Sequence, residues 1–253
     1  MVPASGASAD LEHDHRAERI RERLAQERTH SYLGDAVLGG IDGCVTTFAV
    51  VAGAVGGGFS SLVILVLGFA NLIADGFSMA VSNYQNIKSE REQVAAARKE
   101  EEHHIRTVPE GEREEVRQIF AQKGFSGDVL DRIVEGITDD KRLWVNTMLT
   151  EELGLRIDSP NPLRAALTTF GAFLVVGVVP LLPFLVVRDS QETAFVASIL
   201  GAGAAFFGVG WGKGTVLGEG ALRSGIETFL TGGGAALLAY VIGAWLRTAF
   251  GTA

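Results

Sequence analysis

Five stretches of about twenty residues, nearly free of charge, constrain this chain more than any other feature. A helix needs about 20 mostly apolar residues to cross roughly 30 Å of hydrocarbon. The runs near 36–55, 62–81, 165–187, 194–216 and 226–246 all reach that length. The apolar fraction, 47%, is ordinary, but the distribution of charge is not. Of 52 Lys, Arg, Asp and Glu residues, 11 fall in residues 10–28 and 29 in residues 88–158, leaving 12 for the other 163 positions. A soluble domain spreads charge over its whole surface, so this segregation predicts segments that never meet water. The apolar runs exclude disorder and collagen, and the single cysteine, Cys44, excludes a disulfide scaffold. A net charge of −8 without a basic stripe argues against nucleic acid as a partner.

The expected fold is an all-α membrane protein with five transmembrane helices and a cytoplasmic helical domain inserted between the second and third. Residues 1–32 form a cytoplasmic N-terminal segment, being charged and helix-forming with no apolar core before a cleavage site. Residues 33–87 hold the first two spans, a hairpin joined by Gly56-Gly57-Gly58-Phe59-Ser60-Ser61; residues 88–160 form the insert and 161–253 the last three spans. The last two spans are rich in glycine, which lets membrane helices approach closely. Arg16, Arg19, Arg21, Arg23 and Arg28 precede the first span, and the positive-inside rule puts them in the cytoplasm. The 13 Lys and Arg of residues 88–164, with Lys213 and Arg223, fall on the same side; the outer connections carry only Arg188 and the outer tail Arg247.

Within the insert, Lys88 to Arg106 continues the second span without Gly or Pro and projects into the cytoplasm until Pro109 breaks it. A second helix runs from Glu112 to Lys123 and ends at Gly124. Ser126 or Asp128 caps a third, to Ile137, and a fourth runs from Asp139 to Leu153, before Gly154. Pro180 and Pro183 bend or end the third span.

An ionised carboxylate at the bilayer centre costs about 2.5–3.5 kcal/mol on insertion scales, so acids inside apolar runs are functional candidates. Asp42 lies one heptad after Asp35, with Thr46 a turn further along the same face. In the second span Asn71, Asp75 and Met79 repeat at i, i+4 and i+8, near Ser78 and Ser82. This stripe of oxygens with one thioether suits a first-row divalent metal. The competing reading is that these residues hydrogen-bond between helices as packing groups. Metal arriving at carboxylates displaces protons, a basis for metal/proton exchange. On the insert, Glu101 and His104 share a helix face at i, i+3, Glu112 and Glu115 do the same, and Met148 and Glu152 pair at i, i+4. Solvated acidic faces are the plainer reading of any one pair, yet three pairs on three helices point to a metal-binding domain, because helix bundles hold divalent metals at these spacings. His13 and His15, on a polar tail, read as solvated, and Gly212-Lys213-Gly214-Thr215 fails as a phosphate loop because no Ser or Thr directly follows the lysine. No catalytic residue and no cofactor-binding residue is assigned.

Asp35-Ala-Val-Leu-Gly-Gly-Ile-Asp42-Gly, Ala74-Asp-Gly-Phe-Ser-Met79, Tyr84, Lys88-Ser-Glu90, Val108-Pro109, Trp144, Glu151-Glu152-Leu153-Gly154-Leu155 and Val179-Pro180-Leu-Leu-Pro183 occur in that order. Together they resemble the vacuolar iron transporter family over residues 30–250, and the chain reads as a bacterial member. The resemblance implies a homodimeric, proton-coupled exporter of Fe²⁺, and often Mn²⁺, from the cytoplasm, with no tightly bound cofactor. It implies a pore lined by Asp42 and Met79 between subunits, and metal collected by Glu101, Glu112, Glu115, Met148 and Glu152. Two departures bear on coupling and metal choice: Asn71 stands where the family commonly has a membrane glutamate, with Asp75 a turn later, and His104 stands where a ligand glutamate is common. Leu149 replaces a second methionine beside Met148. The expected location is the bacterial inner membrane rather than a vacuolar one, with divalent transition-metal ions and the lipid bilayer as partners. Two other readings stand beside transport: a membrane-anchored, ferritin-like iron oxidase, and a protein that buffers metal without moving it.

Overall fold

The computed structural model describes residues 16–25, 31–218 and 220–251. The chain divides into two compact units, Met1–Ser31 and Tyr32–Ala253. In the first, α1 (Ala17–Ala25) is described, with Arg19 paired to Glu22 on its exposed surface; His13, His15 and Arg28 lie outside the described residues. In the second, helices joined by short turns and loops make up the described residues, with no strand among them, and five helical segments are long and apolar enough to cross a membrane.

α2 (Leu33–Gly56) and α3 (Ser61–Thr107) make the expected hairpin, turned at Gly58, whose φ of 77° suits glycine. α3 is 47 residues long, about 70 Å at 1.5 Å per residue. Its apolar first half and charged second half are therefore one rod, ended where Pro109 opens α4 (Pro109–Gln122). α5 (Gly127–Thr138) follows the left-handed Gly124, with Ser126 at its N-cap and Asp128 in its first turn. The next helix departs from expectation at both ends. α6 (Lys141–Thr147) begins later than Asp139, because Asp139 closes α5 while the Asp140 carboxylate accepts the amides of Arg142 and Leu143. It then widens into a π-helical turn, Met148–Glu152, closed by the Leu153 N–H donating to the Met148 carbonyl at 3.2 Å. These helices enclose an apolar core of Ile105, Val116, Val134, Trp144, Met148 and Leu149. Arg98 on α3 donates to Asn146 on α6 at 2.7 Å, and Arg91 to the Ser159 carbonyl at 3.0 Å.

The third span is broken, as its prolines predict. α7 (Pro162–Gly177) gives way to a 3₁₀ turn, Val179–Leu181, and then α8 (Leu182–Val186). Proline has no N–H to continue the ladder, and the freed Pro180 carbonyl accepts from the fully buried Ser198 hydroxyl at 2.7 Å. Ser198 belongs to α9 (Gln191–Val216), and α10 (Ala221–Phe250) completes the set. α10 extends beyond the 226–246 expected, since Ser224 and Gly225 pack tightly against α9 instead of interrupting the helix.

Small residues place α2 at the centre. A Cβ added at Gly39 would lie 2.2 Å from the Thr169 carbonyl oxygen, and at Gly43 2.4 Å from that of Phe173, both on α7. On the opposite end, a Cβ at Gly243 of α10 would meet the Gly53 carbonyl oxygen at 2.1 Å. Cys44, fully buried, faces the Ala202 carbonyl of α9 and so packs the helices together. Cys44, Phe48, Ile64, Leu72, Phe173 and Phe206 form the main apolar core.

Candidate metal sites

The insert gathers Glu101 and His104 from α3 with Glu112 from α4. One ligand atom from each lies within 4.8 Å of the others, and His104 Nδ1 stands 3.6 Å from Glu112 Oε1. α3 supplies its pair at i, i+3, and the break at Val108-Pro109 folds α4 back so that Glu112 in its first turn faces them. Glu101 is 5% exposed and Glu112 6%, and one carboxylate oxygen of each is buried without a hydrogen-bond partner among the described residues. Buried polar atoms are nearly always partnered in folded proteins, so two orphaned acceptors beside an imidazole fit a cation. Glu115 and Glu152 stand within electrostatic reach of this cluster but outside the group of three. Burial, and then the charge of Glu152, raises the Glu101 carboxyl. Burial, with Glu115 and Glu101 adding to it, pushes Glu112 up to about 7, and burial followed by Glu115 raises Glu152. The cluster holds protons where isolated carboxyls would not.

Met148 sits differently from its partners in the expected ligand set. It is fully buried in the apolar core of the insert, on the π turn that also carries the exposed Glu152. Single π turns inside helices often mark functional sites.

Among the apolar helices, α2 and α3 bring Asp42 and Asp75 close enough for their charges to repel. Asn71 has a buried amide nitrogen without a partner among the described residues, and Met79 is half-buried against the main core. Thr46 spends its hydroxyl proton on the Asp42 carbonyl at 2.9 Å, so it supports the helix rather than the carboxylate. Asp35 is engaged by a residue absent from the sequence reading: Asn83 Nδ2 donates to Asp35 Oδ1 at 2.7 Å and to Thr169 Oγ1 at 2.8 Å. The signal for Asn83 was present, since it continues the i, i+4 series one turn past Met79; Thr169, on a distant helix, carried none.

The sequence model of the VIT family matches residues 33–244, from the start of α2 to within α10. The chain belongs to the VIT family. It is 33% identical over 229 residues to a vacuolar iron transporter of Toxoplasma gondii, covering 87% of this chain and 76% of the relative. To vacuolar iron transporter 1 of Arabidopsis thaliana it is 34% identical over 211 residues, with 82% and 83% covered. To vacuolar iron transporter 1 of Tulipa gesneriana it is 31% identical over 230 residues, with 87% and 92% covered. Both constellations lie inside the segment matched to the VIT family, whereas α1 precedes it.

Proposed function

We propose that this protein carries Fe²⁺, with Mn²⁺ as a second substrate, out of the cytoplasm in exchange for protons, as a homodimer in a bacterial inner membrane. The observation that carries the reading is the Glu101–His104–Glu112 cluster, where two buried carboxylate oxygens have no hydrogen-bond donor among the described residues. Carboxylate oxygens and one imidazole nitrogen suit a first-row divalent ion. Such a site loads metal by giving up protons, because the ligands must be deprotonated to bind. Glu115 and Glu152 add negative charge that draws a cation in from solution, and Met148, buried on the π turn that carries Glu152, adds a thioether to the expected ligand set. The ion then passes to the path between subunits at Asp35, Asp42, Asn71, Asp75 and Met79. There the two facing carboxylates of Asp42 and Asp75 are relieved by a divalent cation or by protons, and alternation between the two couples their opposite flows. Named vacuolar iron transporters among the relatives support the choice of iron.

The test is metal uptake into proteoliposomes with internal pH followed at the same time. Asp42→Ala is expected to reduce Fe²⁺-driven proton movement more than tenfold while the protein remains folded in detergent. Wild-type flux in that variant would reject the pathway.

A further inference from the structure

We propose that Asn83 is a positioning residue for Asp35, holding one carboxylate oxygen so that the other faces the arriving cation in a fixed orientation. The proposal rests on the transport reading above. Asn83 Nδ2 lies 2.7 Å from Asp35 Oδ1 and 2.8 Å from Thr169 Oγ1, so both of its amide protons are committed. An ionised carboxylate only accepts, which settles which way the amide faces. Among the described residues, Asp35 Oδ2 makes no hydrogen bond, and that oxygen is the one left to take a ligand.

Position on the helices ties this clamp to the path. Asn83 stands one turn beyond Met79 in the series Asn71, Asp75, Met79, and Asp35 stands a heptad before Asp42. Asp35 and Asn83 therefore form the next rung, toward the charged half of α3, on the same two helices that bring Asp42 and Asp75 together. The anchor is rigid. Thr169 is fully buried on α7, where the missing side chain of Gly39 lets the α7 backbone lie directly against α2. A carboxylate oriented before the ion arrives loses less conformational freedom on binding, so the clamp favours capture rather than the later steps.

Fe²⁺ uptake by proteoliposomes carrying the full chain, measured from limiting to saturating metal, tests this. Asn83→Ala is expected to raise KM about tenfold, the scale of a hydrogen bond to a charged group, with kcat within twofold. Thr169→Val, nearly isosteric, moves KM the same way by less and serves if Asn83→Ala does not fold. The exchange Asp35→Asn with Asn83→Asp rebuilds a donor–acceptor pair with the carboxylate on α3. It is expected to recover thermal stability but not KM. Wild-type KM in both single variants, or an exchange that restores KM and thermal stability together, would overturn the proposal and leave the pair as helix packing. A wild-type chain that moves no metal overturns the transport reading and this proposal with it, whereas active wild type with unchanged variants overturns this proposal alone.

Discussion

A carboxyl buried among other carboxylates holds its proton to higher pH than an isolated one, and Glu112 is the clearest instance in this chain. Its carboxyl is pushed from 4.5 up to about 7 by burial and by Glu115 and Glu101. Metal affinity of the full chain in detergent is therefore expected to fall as pH drops through about 7, with protons released on binding; titration calorimetry in two buffers of different ionisation heat measures both. The stability of the metal-free protein runs the other way. A group whose folded value lies above its unfolded one contributes stability below about 4.5 that is lost as pH rises through about 7. Thermal melts should show the metal-free insert weakening over that window and metal restoring it. Glu112→Gln removes the charge at nearly constant shape. It is expected to weaken metal binding at least tenfold and flatten this pH dependence. The acidic pairs were legible from i, i+3 and i, i+4 spacing, but which two oxygens would be orphaned was not, since that depends on how α4 folds back on α3.

At the level of helices, close approach is decided by residues that lack a side chain. A Cβ at Gly43 would sit 2.4 Å from a backbone oxygen of α7, which cannot rotate aside. Gly43→Ala is expected to destabilise the protein by about 2 kcal/mol or more, the upper part of the overpacking range. Gly171 on α7 is the control, with nothing within 4 Å of an added Cβ. There alanine should be neutral or stabilise by up to about 1 kcal/mol through helix propensity, and thermal unfolding in detergent compares the two. Most elements followed from local pattern: the long apolar runs, the uninterrupted stretch from Ser82 to Thr107, and the stops at Pro109 and Gly124. The π turn at Met148–Glu152 did not, because it is set by where Leu153 and Leu155 find carbonyl partners.

For the whole molecule, one span separates the insert from the connection holding Arg188 and Asp189, so these should face opposite sides of the membrane. By the positive-inside rule, the cations clustered between the second and third spans lead us to expect the insert on the cytoplasmic side. A membrane-impermeant maleimide should label Gln118→Cys only from the cytoplasmic face and Asp189→Cys only from the other. Both positions are exposed, and the native Cys44 is fully buried and should stay silent. Labelling of both from one face would refute the arrangement.

Sequence alone determined the number of apolar helices, the charged stretch between the second and third, and which residues carry oxygen, nitrogen or sulfur donors, because hydrophobic length, proline, glycine and helical spacing act locally. Tertiary structure decided which of those residues meet. Glu101, His104 and Glu112 converge through a chain reversal, Asp42 and Asp75 come within electrostatic reach across a hairpin, and Asp35 accepts from Asn83, 48 residues away, whose amide also donates to Thr169. Such contacts arise from the angles and depths at which helices pack around glycines, and no short window of sequence carries that information.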